Sequence, residues 1–275
     1  MPDHPMLEYG FMRHAFAAAG IVAVLGGLVG YFLVLRGQTF AGHALGHVGF
    51  TGATGAVLIG ASPFSGLVVL SVLAGVGMGF LGERIAERDV AIGIVLALAL
   101  GFGLLFLNFY TAFASEAVAL LFGNVLAVDA RTAFVLLALG LASLAGLAMI
   151  SRPLLFASLQ PEVAEAKGVS LRLYSVLFLG IVGLATAGCA EIVGVLLVFA
   201  LMVGPAATAQ RLTHHLGWGI LLAPGLALAE AWLGITMAFY TNWPSSFWIT
   251  SLSAVAYLVA VVLSGRRSAA PARSR

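Results

Sequence analysis

Charge is scarce in this chain. Of its 275 residues, 9% are Asp, Glu, Lys or Arg and 61% are hydrophobic, whereas a soluble domain carries about 25% charged residues. With a mean hydropathy of +1.09, a water-soluble globular fold is excluded and an integral membrane protein is expected. The single cysteine, Cys189, excludes an intrachain disulfide and any cysteine-built metal cluster; it lies in an apolar run and reads as a small packed residue. A net charge of +2 gives no basis for attraction to nucleic acid. The first residues carry Asp3, Glu8 and Arg13, a poor match to a cleavable signal with its basic start and small-residue cleavage site. No GxxxxGK[ST] loop is present, so the chain cannot bind nucleotide by that means. HExxH is missing, and six histidines are too few for the several boxes of a di-iron desaturase, so an enzyme is disfavoured.

What the chain does have is long apolar runs. About 20 residues of helix cross a bilayer core, and nine runs qualify, at about 16–35, 40–60, 63–82, 90–108, 131–150, 172–189, 191–209, 217–238 and 246–263. Treating the first run as interfacial gives eight. The apolar stretch 115–128 is too short to cross and reads as a re-entrant or interfacial piece. The expected fold is thus an all-α polytopic membrane protein, one transmembrane domain over 1–265, followed by a basic, disordered cytoplasmic tail at 266–275. With nine spans and the amino terminus outside, eleven of the thirteen basic residues fall on the cytoplasmic side; only Arg13 and Arg131 fall outside. Glycines recur at packing intervals, as in Gly26/Gly30, Gly75/Gly79 and Gly42/Gly46/Gly49. Pro205 and Pro224 are expected to kink or interrupt their helices.

Polar residues inside the apolar runs are the candidates for function, because burying them in lipid is costly. His43 and His47 in FAGHALGHVGFTG stand four apart, on one helical face. Two neutral imidazoles so placed suit zinc, copper, nickel or iron better than magnesium or calcium; the plainer reading is two packed histidines bonded to backbone carbonyls. Glu230, near the middle of the eighth run, serves as a third ligand, a proton carrier or a structural hydrogen-bonder. Glu191 and Glu116 lie near the outer surface, Met202 and Met237 read as packing, and His214 and His215 as solvated loop residues beside Arg211. Between the fifth and sixth runs, SLQPEVAEAKGVS forms a short polar helix, with Pro161 near its start and Gly168 past its end. Its cytoplasmic position suits docking into a groove on another protein.

Taken in order, these motifs resemble the permease subunit of zinc- and manganese-type ABC importers over about residues 16–263. FAGHALGHVGFTGA looks like the family's second-helix motif, DVAIGIVLALALGFG its fourth-span signature, VGVLLVFALMVGPAATA its late motif, and SLQPEVAEAKGVS occupies the place of the coupling helix. The resemblance implies a homodimer in the bacterial or archaeal cytoplasmic membrane. It also implies a cytoplasmic ABC ATPase dimer and an extracytoplasmic metal-binding protein as partners. His43, His47 and, more weakly, Glu230 are then the metal ligands, and Pro161, Glu162, Glu165 and Gly168 the ATPase contact. No cofactor is held permanently; the cargo is a divalent metal. His43 stands where the family commonly has aspartate. Imidazole in place of a hard carboxylate favours zinc over manganese, with manganese and iron as alternatives. Two rival functions are a proton-driven secondary metal transporter using Glu230 as carrier, and an ABC permease for a metal chelate, whose wide pathway would not need paired histidines.

Overall fold

The computed structural model describes residues 6–81, 85–109, 121–123, 125 and 128–268. Among these every regular element is helical: α1 Gly10–Leu35, α2 Thr39–Leu58, α3 Pro63–Gly79, α4 Ile85–Asn108, α5 Ala130–Leu159, α6 Pro161–Ala166, α7 Leu171–Val193, α8 Val195–Leu212, α9 Leu216–Thr241 and α10 Ser245–Ser268, after a 3-10 turn at Met6–Glu8. Each of the nine expected runs coincides with one of these helices. Seven of them (α1, α4, α5, α7, α8, α9 and α10) are long and apolar enough to cross a bilayer. The other two differ for separate reasons. Helix α3 has only 17 residues. Helix α2 is diluted by two histidines, three threonines and five glycines, yet fourteen of its twenty residues are buried. Protein rather than lipid surrounds it, so its own hydropathy understates how deeply it sits.

Helix α1 is long and apolar enough to cross a bilayer. It is 26 residues long, mostly buried, and packed by α5, α7, α8 and α9. Around it α8 contacts α2, α9 and α10, while α4 packs chiefly on α2. Small residues permit these approaches: Gly75 and Gly79 meet the backbone of α7 at Leu179 and Val176, and Gly26 and Gly30 face Cys189 and Met202. Cys189 is buried and its thiol lies 3.4 Å from the Val22 carbonyl oxygen, a packed residue as expected.

Several expectations need correction. Neither Pro205 nor Pro224 interrupts its helix; α8 and α9 run through them. The chain breaks instead at Gly194, at φ +86°, between Val193 and Val195. A side chain there would collide with the backbone of Leu121–Gly123, so glycine alone fits both the dihedral and the contact. Helix α5 extends nine residues past its expected end and contains Pro153. Helix α10 continues to Ser268, so residues 266–268 of the expected tail are helical; residues 269–275 lie outside the described residues. Of the expected re-entrant stretch 115–128, only 121–123, 125 and 128 are described, and Glu116 is not among them.

The connections sort onto two ends of the bundle. At one end Tyr9 and Phe11 line a cleft of about 820 Å³ with Phe122, Gly123, Phe239 and Trp243. At the other, Arg36 reaches Ser158, Gln38 reaches Ser175, and Gln210 donates to the Tyr31 carbonyl oxygen at 3.0 Å. Helix α5 starts near the first end, where Asp129 caps it by accepting from the Thr132 amide at 2.8 Å.

Candidate functional site

Helix α2 carries His43 and His47 inward because its glycines let neighbours close on it. Gly46 packs against Val195 and Val198 of α8, and Gly49 against Leu67 and Ser71 of α3. The two imidazole rings meet edge to face, their centroids 4.9 Å apart at 78°. His47 is 9% exposed, and its Nδ1 is buried with no hydrogen-bond partner. His43 is half-buried, and the ring of Phe199 on α8 lies edge to face with it at 5.2 Å. The plain reading, two histidines tied to carbonyls of neighbouring helices, predicts a partner that the Nδ1 of His47 does not have among the described residues. A buried imidazole nitrogen without a partner costs free energy unless something binds its lone pair or takes its proton.

Thr51 continues the same face one turn beyond His47. Its hydroxyl lies 2.5 Å from the Ala99 carbonyl oxygen of α4 and 3.2 Å from that of His47. It thereby pins α4 over the histidine helix. The i+4 series His43, His47, Thr51 is legible in the sequence, although only the two histidines stand out by chemistry. Phe199 carries no such signal, since its role depends on where α8 lands.

Glu230 lies elsewhere. It is 5% exposed, on α9 among α1, α8 and α10, and neither carboxylate oxygen has a partner within hydrogen-bond geometry among the described residues. The Ser253 hydroxyl of α10 stands beside it but is within 3.3 Å of the Ala200 carbonyl oxygen. Phe199 faces His43 and the adjoining Ala200 faces Ser253, so α8 separates Glu230 from the histidines at one level of the bundle. The structure does not bring Glu230 into the pair: among the described residues no three His, Cys, Asp or Glu side chains converge as a metal-binding group. His214 and His215 are exposed in the α8–α9 connection, and Met202 is buried beside the Thr186 hydroxyl.

Helix α6 spans Pro161–Ala166, close to expectation. It is anchored by one buried residue, Ala164, in a small apolar cluster with Ala157 and Leu171 that is separate from the main core. Gly168, at φ +83°, turns the chain back and donates to the Glu165 carbonyl oxygen at 2.9 Å. Pro161, Glu162 and Glu165 are left facing outward.

Known proteins bear directly on this arrangement. The sequence matches the ABC 3 transport family over residues 8–264. The Manganese transport system membrane protein MntC of Halalkalibacterium halodurans is 32% identical over 231 residues, covering 84% of this chain and 79% of that protein. The Manganese import system permease protein ScaB of Streptococcus parasanguinis is 27% identical over 261 residues, covering 94% and 93%. Among solved structures, PsaBC from Streptococcus pneumoniae in complex with Fab superposes with a TM-score of 0.83 at 26% identity, covering 93% and 92%. The match spans nearly every helix that builds the bundle, and the chain is a multi-pass membrane transport subunit, not an enzyme, belonging to the ABC 3 transport family.

Proposed function

We propose that this chain is the permease of an ATP-driven importer that passes a divalent transition-metal ion into the cytoplasm along the face of α2 bearing His43 and His47. The observation that carries this reading is the buried, unpartnered Nδ1 of His47 beside a second imidazole. Two ligands without a closed four-ligand cage suit an ion that must bind and then leave. Both donors are imidazole, which favours zinc. The family relatives favour a second reading, manganese, since those named above for a metal are named for manganese. Glu230, across α8, does not complete the pair in this arrangement, so further ligands come from water or from a second copy of the chain.

The same reading has nine crossings, an outer amino terminus and a cytoplasmic carboxyl terminus in the cell membrane. The sorting of the connections supports it: nine crossings put residues 9–11, 122–125 and 242–246 on one side and residues 36–38, 158–175 and 210–216 on the other, matching the two gathered ends. The partners in this reading are a cytoplasmic ABC ATPase dimer meeting α6, an extracytoplasmic metal-binding protein at the opposite end, and a second copy of this chain. The test is zinc and manganese uptake by the reconstituted complex in vesicles. Uptake is expected to fall to background in His43→Ala/His47→Ala, and undiminished uptake of both metals by that variant would refute the histidine pathway.

A further inference from the structure

The end of the bundle that gathers the α1–α2 connection contains a polar chain with no part in ligating the ion. Arg36 follows the last residue of α1, and Gln38 immediately precedes α2. The Arg36 Nη1 donates to the Ser158 hydroxyl at 2.8 Å, and its Nε donates to the Gln38 Oε1 at 3.2 Å. The Gln38 Nε2 donates in turn to the Ser175 hydroxyl at 3.4 Å. The Arg36 guanidinium also lies over the Phe178 ring, 5.6 Å from its centroid. Ser158 itself donates to the Leu154 carbonyl oxygen, which turns a lone pair toward the guanidinium.

The positions of these partners matter more than their number. Ser158 lies near the end of α5, three residues before α6; Ser175 and Phe178 lie in the first two turns of α7, just after α6. One short segment of chain thus holds both helices that flank α6. That same segment leads into α2: Gln38 is 3% exposed, its carbonyl oxygen accepts from the Gly42 amide at 3.3 Å, and His43 follows five residues later. At 1.5 Å per residue that is about 7.5 Å along a stiff helix. Elsewhere α2 meets its neighbours through glycine and apolar side chains and through neutral hydrogen bonds at Thr51 and Ser71, and such contacts yield more readily than a charge-assisted hydrogen bond.

We propose that Arg36 and Gln38 form a coupling latch, which transmits displacement of the α5–α6–α7 segment to the amino-terminal end of α2 and so repositions His43 and His47. The latch rests on the reading of α6 as the ATPase contact and of α2 as the ion pathway. Arg36 and Gln38 are positioning residues; neither touches the ion or the nucleotide.

The test is the number of metal ions imported per ATP hydrolysed by the full complex in vesicles, alongside its ATPase rate and zinc binding to the purified complex. In Arg36→Met/Gln38→Leu the ions-per-ATP ratio should fall about tenfold, the scale of a lost hydrogen bond to a charged group. ATPase rate and zinc affinity should stay near the parent values. Arg36→Lys should recover part of the ratio. Ser158→Ala and Ser175→Ala remove only the partner hydroxyls and should lower the ratio in the same direction without threatening folding. Arg36→Met combined with Ser158→Ala should be less than additive, since both break one bond. An unchanged ratio in Arg36→Met/Gln38→Leu, or a parallel loss of zinc binding in the serine variants, would overturn the latch. Cross-linking of α6 to the ATPase in the unaltered complex tests the underlying reading separately; its failure would refute the contact before any variant is made.

Discussion

Helix α8 has an ionisable site on either side, and the two differ in what they can do. On one side His43 and His47 sit ring to ring, and the Nδ1 of His47 is buried without a hydrogen-bond partner among the described residues. On the other, Glu230 stands alone, its oxygens unpartnered, beside a hydroxyl that lies against the Ala200 carbonyl oxygen. A charge in the middle of a membrane helix costs about 3 kcal/mol on insertion scales, so a lone carboxylate there calls for a partner or water. Two imidazoles need no charge to ligate a metal, whereas a lone carboxyl brings a single donor group. Intramembrane position alone therefore does not make a candidate metal site; convergence of donor groups does.

The largest effect expected from breaking this comparison is at His47. His47→Ala should reduce metal uptake to background while assembly with the ATPase persists, and Glu230→Gln, which keeps the shape of a neutral carboxyl, should leave a substantial fraction of uptake. Vesicle uptake compares them directly. Equal loss in both would mean that the two sides of α8 act as one site. A smaller change is expected from His43→Asp, which restores a hard oxygen donor. It should retain transport and shift the zinc-to-manganese ratio several-fold toward manganese, read by competition uptake; an unchanged ratio would mean that this ligand does not select the metal.

The smallest effect belongs to a third carboxylate that sharpens the contrast with Glu230. Asp129 is exposed at the start of α5, and Thr132, through its hydroxyl first and its amide second, holds the Asp129 carboxyl below the usual carboxylate range. Its folded pKa lies below the unfolded one, so its stabilisation is present above about pH 4 and is lost as pH falls through the lowered folded value. Asp129→Asn keeps the cap and removes that acid dependence. Thermal unfolding in detergent at neutral and strongly acid pH should show a slight difference between the two proteins only in acid. An equal difference at both pH values would mean that protonation of Asp129 does not affect stability, and a difference at neutral pH that vanishes in acid would show that the charge, not the cap geometry, stabilises the helix start.

Much of the fold was legible because lipid imposes a simple code. Runs of about 20 apolar residues mark helices whatever they pack against, and each of the nine runs coincides with a helix. Legibility failed where backbone geometry or neighbours decide. Pro205 and Pro224 were expected to kink or interrupt their helices, yet both helices run through them, and the break falls at Gly194, where φ is positive and Leu121–Gly123 presses against the backbone. The end of α5 was missed because its last nine residues, with Arg152 and Pro153, no longer read as apolar span. The site was half legible. The spacing of His43 and His47 guarantees a shared face on any helix. Phe199, Ser253 and the Arg36–Gln38 chain were invisible because each matters through a partner on another helix, as in the contact of Arg36 with Ser158 across 122 positions.

By itself, then, the sequence determined a helical membrane bundle, a paired-imidazole face on its second helix and a short capped helix between its fifth and sixth spans. These follow from local quantities: hydropathy over one helix length, a period of 3.6 residues, and the dihedrals open to proline and glycine. Tertiary structure alone decided that the histidine helix is enclosed by protein, that Glu230 lies on the far side of α8, and that Arg36 and Gln38 tie α2 to both flanks of α6. Those outcomes depend on which helices become neighbours. Side-chain pattern within one helix sets which face turns inward, but the partner of that face is chosen only when the whole bundle packs.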